Sequence, residues 1–189
     1  PSGKLVAAVV TMTFDQGPRT VLVPFANLRY DAQTNLLQLE PCVDADDQYP
    51  AFDAAKVATT RVGDGSDAAL TGTILVSRLL RSDVALQGEA KASAQGLTVE
   101  LRSGHVAFVD IAARERAGDN ELHPVPWSAL RLAADDSSGG KAPVLGLART
   151  KEALAATPTL VEIIVQDPLY RARVYECFEV RRPDYDADG

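Results

Sequence analysis

The chain has 189 residues, 46% of them hydrophobic and 24% charged, which excludes disorder along its whole length and leaves room for one or two ordinary domains. Lys and Arg number 19 against 26 Asp and Glu, a net charge of −7 that argues against a nucleic-acid partner, because phosphate binding runs on clustered positive charge. Arg81, Arg114, Arg116 and Arg131 are scattered among acids, the Arg181-Arg182 pair lies beside Asp184 and Asp186, and no apolar run reaches the ~18 residues of a membrane-spanning helix.

The elements follow from hydrophobic period and turn residues. The chain opens on Pro1-Ser2-Gly3, which reads as the middle of a turn and hence as a fragment or processed chain, so any link to a membrane would come from an anchor upstream. A strand is expected over 4–14 and a polar turn at Asp15-Gln16-Gly17-Pro18. A short strand then runs into Val23-Pro24-Phe25, with one helical turn at Ala26-Asn27-Leu28 and a strand carrying Leu37 and Leu39. The glycine-rich acidic stretch from Arg61 to Asp67 reads as a linker. Beyond it, Thr73-Ile74-Leu75-Val76 is a β-branched run. Val84-Ala85-Leu86, a Gln87-Gly88 turn, then 92–94 and 97–101 predict further strands, and Ser103-Gly104 a turn before a strand over 105–112.

A polar turn at 116–120 leads to Val125-Pro126-Trp127, a helical turn at Ser128-Ala129-Leu130, a longer loop at 133–143 and a strand with Leu145 and Leu147. Pro24 and Pro126 each lack a ladder donor and belong at a strand end or sheet edge. Thr150 caps a helix over 151–156 that Pro158 stops, and Asp167 caps another with Pro168 at its first position. Tyr170, Val174 and Phe178 would share one helical stripe; a strand over 170–180 is the other reading of the same residues.

Internal similarity is the strongest signal. The segment from Val23 to Arg29 matches that from Val125 to Arg131 in Val, Pro, Leu and Arg, with an aromatic after each Pro. Downstream, Leu36-Leu37-Gln38-Leu39 parallels Val144-Leu145-Gly146-Leu147, and Pro50-Ala51-Phe52 parallels Pro158-Thr159-Leu160. Three matches in one order predict two copies of a module.

Ser82-Asp83-Val84 with Gly88, Gly104-His105-Val106-Ala107-Phe108-Val109 and His123-Pro124-Val125-Pro126-Trp127-Ser128-Ala129-Leu130 resemble the PRC-barrel family. So do Leu145, Thr150-Lys151-Glu152-Ala153-Leu154, Pro158, and the segment from Asp167 through Tyr170 and Val174 to Phe178. The family includes the cytoplasmic domain of the photosynthetic reaction centre H subunit and the C-terminal domain of a bacterial ribosome maturation factor. The resemblance implies a mainly β fold of small PRC-barrel-like β-barrel modules with short helices and an internal duplication. The expected organisation is a first copy over 1–60 short of its opening strands, a linker over 61–69, a second copy over 70–182 and a flexible acidic tail over 183–189. The family's role implies an adaptor or assembly surface without general catalytic chemistry.

No catalytic, cofactor-binding or metal-binding residue is assigned. Only two histidines exist, His105 and His123, with no close Cys/His cluster. Asp44, Asp46 and Asp47 with Glu40 lack the spacing of a calcium loop and read as solvated acids. The structural or interface candidates are Phe25 and Trp127, Pro24 and Pro126, and Tyr170 and Tyr175. Trp127 and Phe25 are expected to be mostly buried, each plugging a barrel end, and one of the two tyrosines to face a partner. The expected function is a non-enzymatic binding or assembly module acting through protein–protein contacts. The alternatives are the soluble part of a membrane-complex subunit like the reaction centre H subunit, or an enzyme of unidentified type. Cys42 and Cys177 are expected as buried thiols; a bridge between them would imply export, and without one the cytoplasm is the default compartment.

Overall fold

A computed structural model describes residues 3–14, 16–31, 33–34, 36–39, 49, 51–53, 75–80, 82–89, 91–112, 121–133, 144–160 and 165–184. The chain divides into two units, Lys4–Thr73 and Ile74–Gly189, the second joined by Pro1–Gly3. The expected linker over 61–69 and most of the acidic tail lie outside the described residues, as do Cys42 and the acids from Glu40 to Asp47.

In the first unit β1 (Ala7–Phe14) and β2 (Gly17–Pro24) form an antiparallel hairpin, with Val10 opposite Val21 and Ala8 opposite Val23. β1 alternates as a half-buried strand should: Val10, Met12 and Phe14 turn inward, while Val9, Thr11 and Thr13 face out. Val21 and Val23 are fully buried with Tyr49, and Val10, Met12, Phe14, Leu28 and Leu39 pack on this cluster. Leu22 points to the other face, where Ala7 and Phe52 cover it. A 3-10 turn at Phe25–Asn27 follows Pro24, and β3 (Leu28–Asp31) and β4 (Leu36–Leu39) make a separate two-stranded antiparallel sheet.

The second unit begins, among the described residues, with a helical turn α1 (Val76–Leu79), then β5 (Asp83–Ala85), β6 (Lys91–Glu100), β7 (His105–Ala112) and β8 (Leu122–Pro126). After a 3-10 turn at Trp127–Ala129 come β9 (Leu130–Ala133), β10 (Val144–Leu147), α2 (Lys151–Ala155) and α3 (Pro168–Cys177). The six strands form one mixed sheet in the order β8-β7-β6-β5-β10-β9, parallel only between β5 and β10. Val84 and Leu145, both wholly buried, are partners at that parallel junction.

Among the described residues no sheet closes into a barrel, so the PRC-barrel fold expected from the resemblance is corrected. Closure of the larger sheet would require β8 to pair with β9, and these are its two outer strands. Proline chemistry supplies a reason. The Leu122 carbonyl accepts from Leu160 N at 2.6 Å, which places the backbone groups of Leu122 on the outer edge of β8. Pro124 and Pro126 share that register, so the outer edge lacks two N–H donors a closing strand would need.

The expected duplication is corrected as well. The backbone recurs over one corner: Pro24 has φ −53° and ψ 135°, Pro126 has φ −54° and ψ 136°, and each enters a three-residue 3-10 turn. In each unit an antiparallel pair precedes the corner and another follows it, but the sheets that these pairs enter differ. The first unit holds two separate two-stranded sheets, and the second holds a six-stranded mixed sheet built on β5 and β6, which have no counterpart among the described residues of the first. Shared letters encode a shared turn, and no clear repeat of a module follows.

Two strand assignments change. Val76 opens a helical turn instead of ending a strand, with Leu79 N bonded to Leu75 O at 3.1 Å, because the turn buries Leu79. Residues 92–94 and 97–101, expected as separate strands, belong to the single strand β6, whose register against β7 shifts between Ala94 and Gly96 and again between Thr98 and Val99. The bulge absorbs the polar Gln95, which stays exposed.

Both terminal helices match their caps. Thr150 Oγ1 accepts from Ala153 N at 3.3 Å, and Asp167 Oδ1 accepts from Leu169 N at 2.8 Å. From α3, Val174, Tyr175 and Phe178 enter the core, so the helical reading of the segment holds over the strand reading. Arg149 ties the last elements together: its carbonyl accepts from Gln87 N at 2.9 Å, and its Nη2 donates to Cys177 O at 3.1 Å. That guanidinium thus satisfies a carbonyl in the final turn of α3 and favours the negative end of the helix dipole.

Phe108 is wholly buried on β7 and its ring lies 5.3 Å from that of Tyr175. Phe108→Ala is expected to cost about 3–5 kcal/mol in denaturant unfolding, as for other buried aromatic truncations. Leu169, 81% exposed on α3, supplies the contrast, and Leu169→Ser should move stability by less than about 0.5 kcal/mol.

Candidate functional site

The residues singled out by sequence fall into two places. Pro24 and Phe25 belong to the first unit, where Phe25 N donates to Val6 O at 3.0 Å and holds the turn against the strand before it. Pro126, Trp127, Tyr170 and Tyr175 belong to the second. Pro126 is buried opposite Phe108 on β7, and Phe108 packs on Tyr175, so the three form a continuous contact from the end of β8 to α3. Tyr170 is half-buried and its hydroxyl donates to Thr159 O. Tyr175 is buried. The tyrosine that leaves the Val174 stripe is therefore packed inside the unit, because α3 presents more than one row of side chains to the sheet.

Trp127 and Phe25 are mostly buried, as expected, with a minor part of each left exposed. Gly3 lies close against the Trp127 indole. A Cβ at Gly3 would stand 2.5 Å from Trp127 Cδ1 and Nε1, and Gly3 has φ +70°. Both facts require glycine there. Gly3 O also accepts from Val106 N at 2.8 Å, which fixes the segment beside the sheet.

Three polar groups of the second unit were not singled out as sites by the sequence reading. The most unusual is Asp110. It lies in the middle of β7, where every residue from Val106 to Ala112 is buried, and its own exposure is 5%. Its Oδ1 has no hydrogen-bond partner among the described residues. Its Oδ2 lies against Gly96, where a Cβ would stand 2.5 Å away. Burial pushes its carboxyl up to about 6, well above the ordinary carboxylate range. The signal was present in the sequence as one acid inside the run Val106-Ala107-Phe108-Val109-Asp110-Ile111-Ala112.

The second group is His123, buried on β8 opposite Ile111. Its Nδ1 lies 3.3 Å from Thr157 Oγ1, which itself donates to Leu154 O at 2.8 Å. The hydroxyl has one proton and spends it on Leu154, so His123 Nδ1 is the donor in the other bond. His123 joins α2 to the sheet. The third is Arg171, whose Nη1 contacts Glu100 Oε2 at 3.0 Å while its guanidinium carbon stands 5.8 Å from the Phe108 ring centroid. This pair closes α3 over β6 and β7. His105, half-buried at the start of β7, is separated from His123 by the strand's length and register.

On the first unit the notable feature is apolar surface. Tyr30 and Leu37 are direct cross-strand partners, 44% and 52% exposed, and Leu36 is 60% exposed. Leu28 and Leu39 are also partners and share the face of Tyr30 and Leu37 by strand alternation. Since Leu28 and Leu39 pack on the Val21–Val23 cluster, one apolar strip runs from the core of the unit out to solvent. At its far end Asp31 organises the β3–β4 turn: Oδ2 accepts from Thr34 Oγ1 at 2.8 Å and Oδ1 from Gln33 N at 2.8 Å. These bonds hold its carboxyl below the usual range, the Thr34 hydroxyl most of all.

Compared with known protein families the chain matches none, and compared with curated proteins it matches none. The PRC-barrel resemblance therefore rests on short motifs, of which the Val-Pro-aromatic corner is the most specific, and the open sheet contradicts the fold it implied.

The residual exposure of Trp127 sets the size of its contribution. Trp127→Ala is expected to cost about 2 kcal/mol in urea unfolding, below the ~3–5 kcal/mol of a fully buried aromatic. Gly3→Ala should lower stability by a measurable part of this, because its Cβ would displace the indole.

Proposed function

We propose that the chain is a non-catalytic binding or assembly module that acts through protein–protein contacts, with the β3–β4 strip as the contact surface. The observation that carries this reading is the continuity of the strip: Leu28 and Leu39 anchor it in the first unit's core, and Tyr30 and Leu37 extend it into solvent. An apolar face that leaves the core at an ordered two-stranded sheet is suited to a partner. Tyr30 adds a rigid aromatic with a polar tip, a residue type enriched where binding energy concentrates. Asp31 stiffens the turn through four bonds, one from Gln33, two from Thr34 and one from Gln38, so little order would have to be acquired on docking. With a net charge of −7 on the chain, the fitting partner presents an apolar segment with basic residues around it.

The test compares the wild type with the double variant Tyr30→Ser/Leu37→Ser. Both side chains are largely exposed, so the variant should fold with nearly unchanged stability. Cross-linking of the wild type in extracts of its source should place partner peptides on residues 28–39. The double variant should lose those cross-links by about tenfold or more, while Arg131→Ala, exposed on β9, keeps them. Cross-links that concentrate elsewhere, or that survive the double substitution, would refute the assignment.

A further inference from the structure

We propose that Asp110 is a proton-operated latch of the six-stranded sheet, holding β6 against β7 when neutral and releasing the bulge in β6 when ionised. The geometry carries the argument. Asp110 is 5% exposed, its Oδ1 lacks a partner among the described residues, and its Oδ2 faces the bare Cα of Gly96. A carboxylate in that position loses its hydration and receives no bond in return, whereas the neutral acid loses much less. The residue therefore opposes its own ionisation within the closed sheet.

The neighbouring strand supplies the moving part. Asp110 pairs with Gly96, and the register of β6 against β7 breaks between Ala94 and Gly96, leaving Gln95 outside the ladder. A bulge is where a ladder has already surrendered its regular bonds, so it opens at lower cost than the strand on either side. Gly96 carries no side chain to be repacked. Displacement of this short stretch would open the Asp110 carboxylate to water. On the other side Asp110 faces Pro124 of β8, whose missing N–H offers the carboxylate no donor.

Charged neighbours do not set the response. On β6, Lys91 pairs with Asp83 at the strand's exposed start and Glu100 pairs with Arg171 at its end. On β7 the other titratable group is His105 at the first position. On β8, His123 pairs with Ile111 and so lies on the opposite face of the sheet from Asp110. α3 carries Tyr170, Arg171, Arg173, Tyr175, Glu176 and Cys177, and Tyr175 packs on Phe108. Burial alone raises the Asp110 carboxyl, with no charge contributing.

The sign follows from linkage. The folded carboxyl titrates near 6 and the unfolded one near 3.8, so the folded state holds the extra proton between these values. Stability due to this group is fully present at acid pH and is lost as pH rises through about 6. The full difference corresponds to a roughly hundredfold fall in the folding equilibrium constant.

The experiment is unfolding by urea at intervals from pH 4 to 8 for the wild type and Asp110→Asn, which keeps the shape and cannot ionise. The wild type should lose stability relative to Asp110→Asn by roughly a hundredfold in equilibrium constant across this range, and amide protection at 94–97, taken relative to Asp110→Asn at the same pH, should fall over the same interval. Taking the difference removes the common contribution of other carboxylates. The carboxyl carbon resonance of Asp110 in the wild type supplies a second measurement should Asp110→Asn not fold, with an expected midpoint near 6. A midpoint in the ordinary carboxylate range overturns the proposal. So does a pH-independent difference between the two proteins, or a fall in protection spread evenly over the sheet. None of these outcomes depends on whether the β3–β4 strip binds a partner.

Discussion

Burial of β7 on both faces is the constraint on which the second unit depends. A strand in an antiparallel ladder commonly leaves one face to water, and its sequence alternates accordingly. β7 does not: from Val106 to Ala112 every side chain is covered. One face must therefore be closed by something other than the strand's own neighbours. α3 contributes Tyr175 against Phe108, and Arg171 lies over the Phe108 ring while its charge is met by Glu100. α2 is joined to β8 by the bond from His123 to Thr157. Arg149 fastens the far end of α3 to the turn after β10. These short helices stabilise the unit as covers, since helices of such length are marginal on their own.

The same strand shows which parts of the architecture can be read from letters. The run from His105 to Ala112 has strand length, β-branched and aromatic residues, and a glycine turn before it, and the strand occupies those bounds. Thr150 and Asp167 announce two helix starts because a cap is a local event: one side-chain oxygen meets one amide two or three residues on. Pro24 and Pro126 likewise announce strand ends, as φ restriction and the missing donor act at the residue itself. Thr73-Ile74-Leu75-Val76 misleads for the converse reason. Its β-branched letters favour a strand, yet Val76 begins a helical turn whose last residue, Leu79, is buried, and tertiary burial outweighs propensities of a few tenths of a kcal/mol.

Closure and repetition are global properties, and local letters do not fix them. Val-Pro-aromatic specifies a corner, and the corner forms twice with nearly identical proline dihedrals. Whether the strands around a corner join one sheet or two depends on what else pairs with them. β9 and β10 reach β5 through the parallel junction of Leu145 with Val84, while β3 and β4 pair with each other alone. The candidate sites divide in the same way. The aromatic corners and their burial were legible as motifs, but the contact of Gly3 with Trp127 from a distant point in the chain was not. Asp110 was visible as a lone acid among apolar residues, but only the structure shows that its Oδ1 has no partner among the described residues.

Open edges and an uncompensated acid are both departures from the most stable arrangement of these strands, and they differ in kind. The outer edge of β8 is protected by chemistry that costs the sheet nothing further, because Pro124 and Pro126 simply lack the donors another strand would seek. The first unit has no such protection along Tyr30, Leu36 and Leu37, where apolar side chains stand in water beside a well-bonded turn. Asp110 goes further, since replacing a carboxyl by a carboxamide or an aliphatic group of like size would relieve a desolvation penalty without altering the topology. Under the two proposals, a partner would relieve the exposed apolar surface of one unit and a proton would relieve the buried acid of the other. Each would tie the stability of its unit to something outside the chain, partner concentration for the strip and pH for the acid.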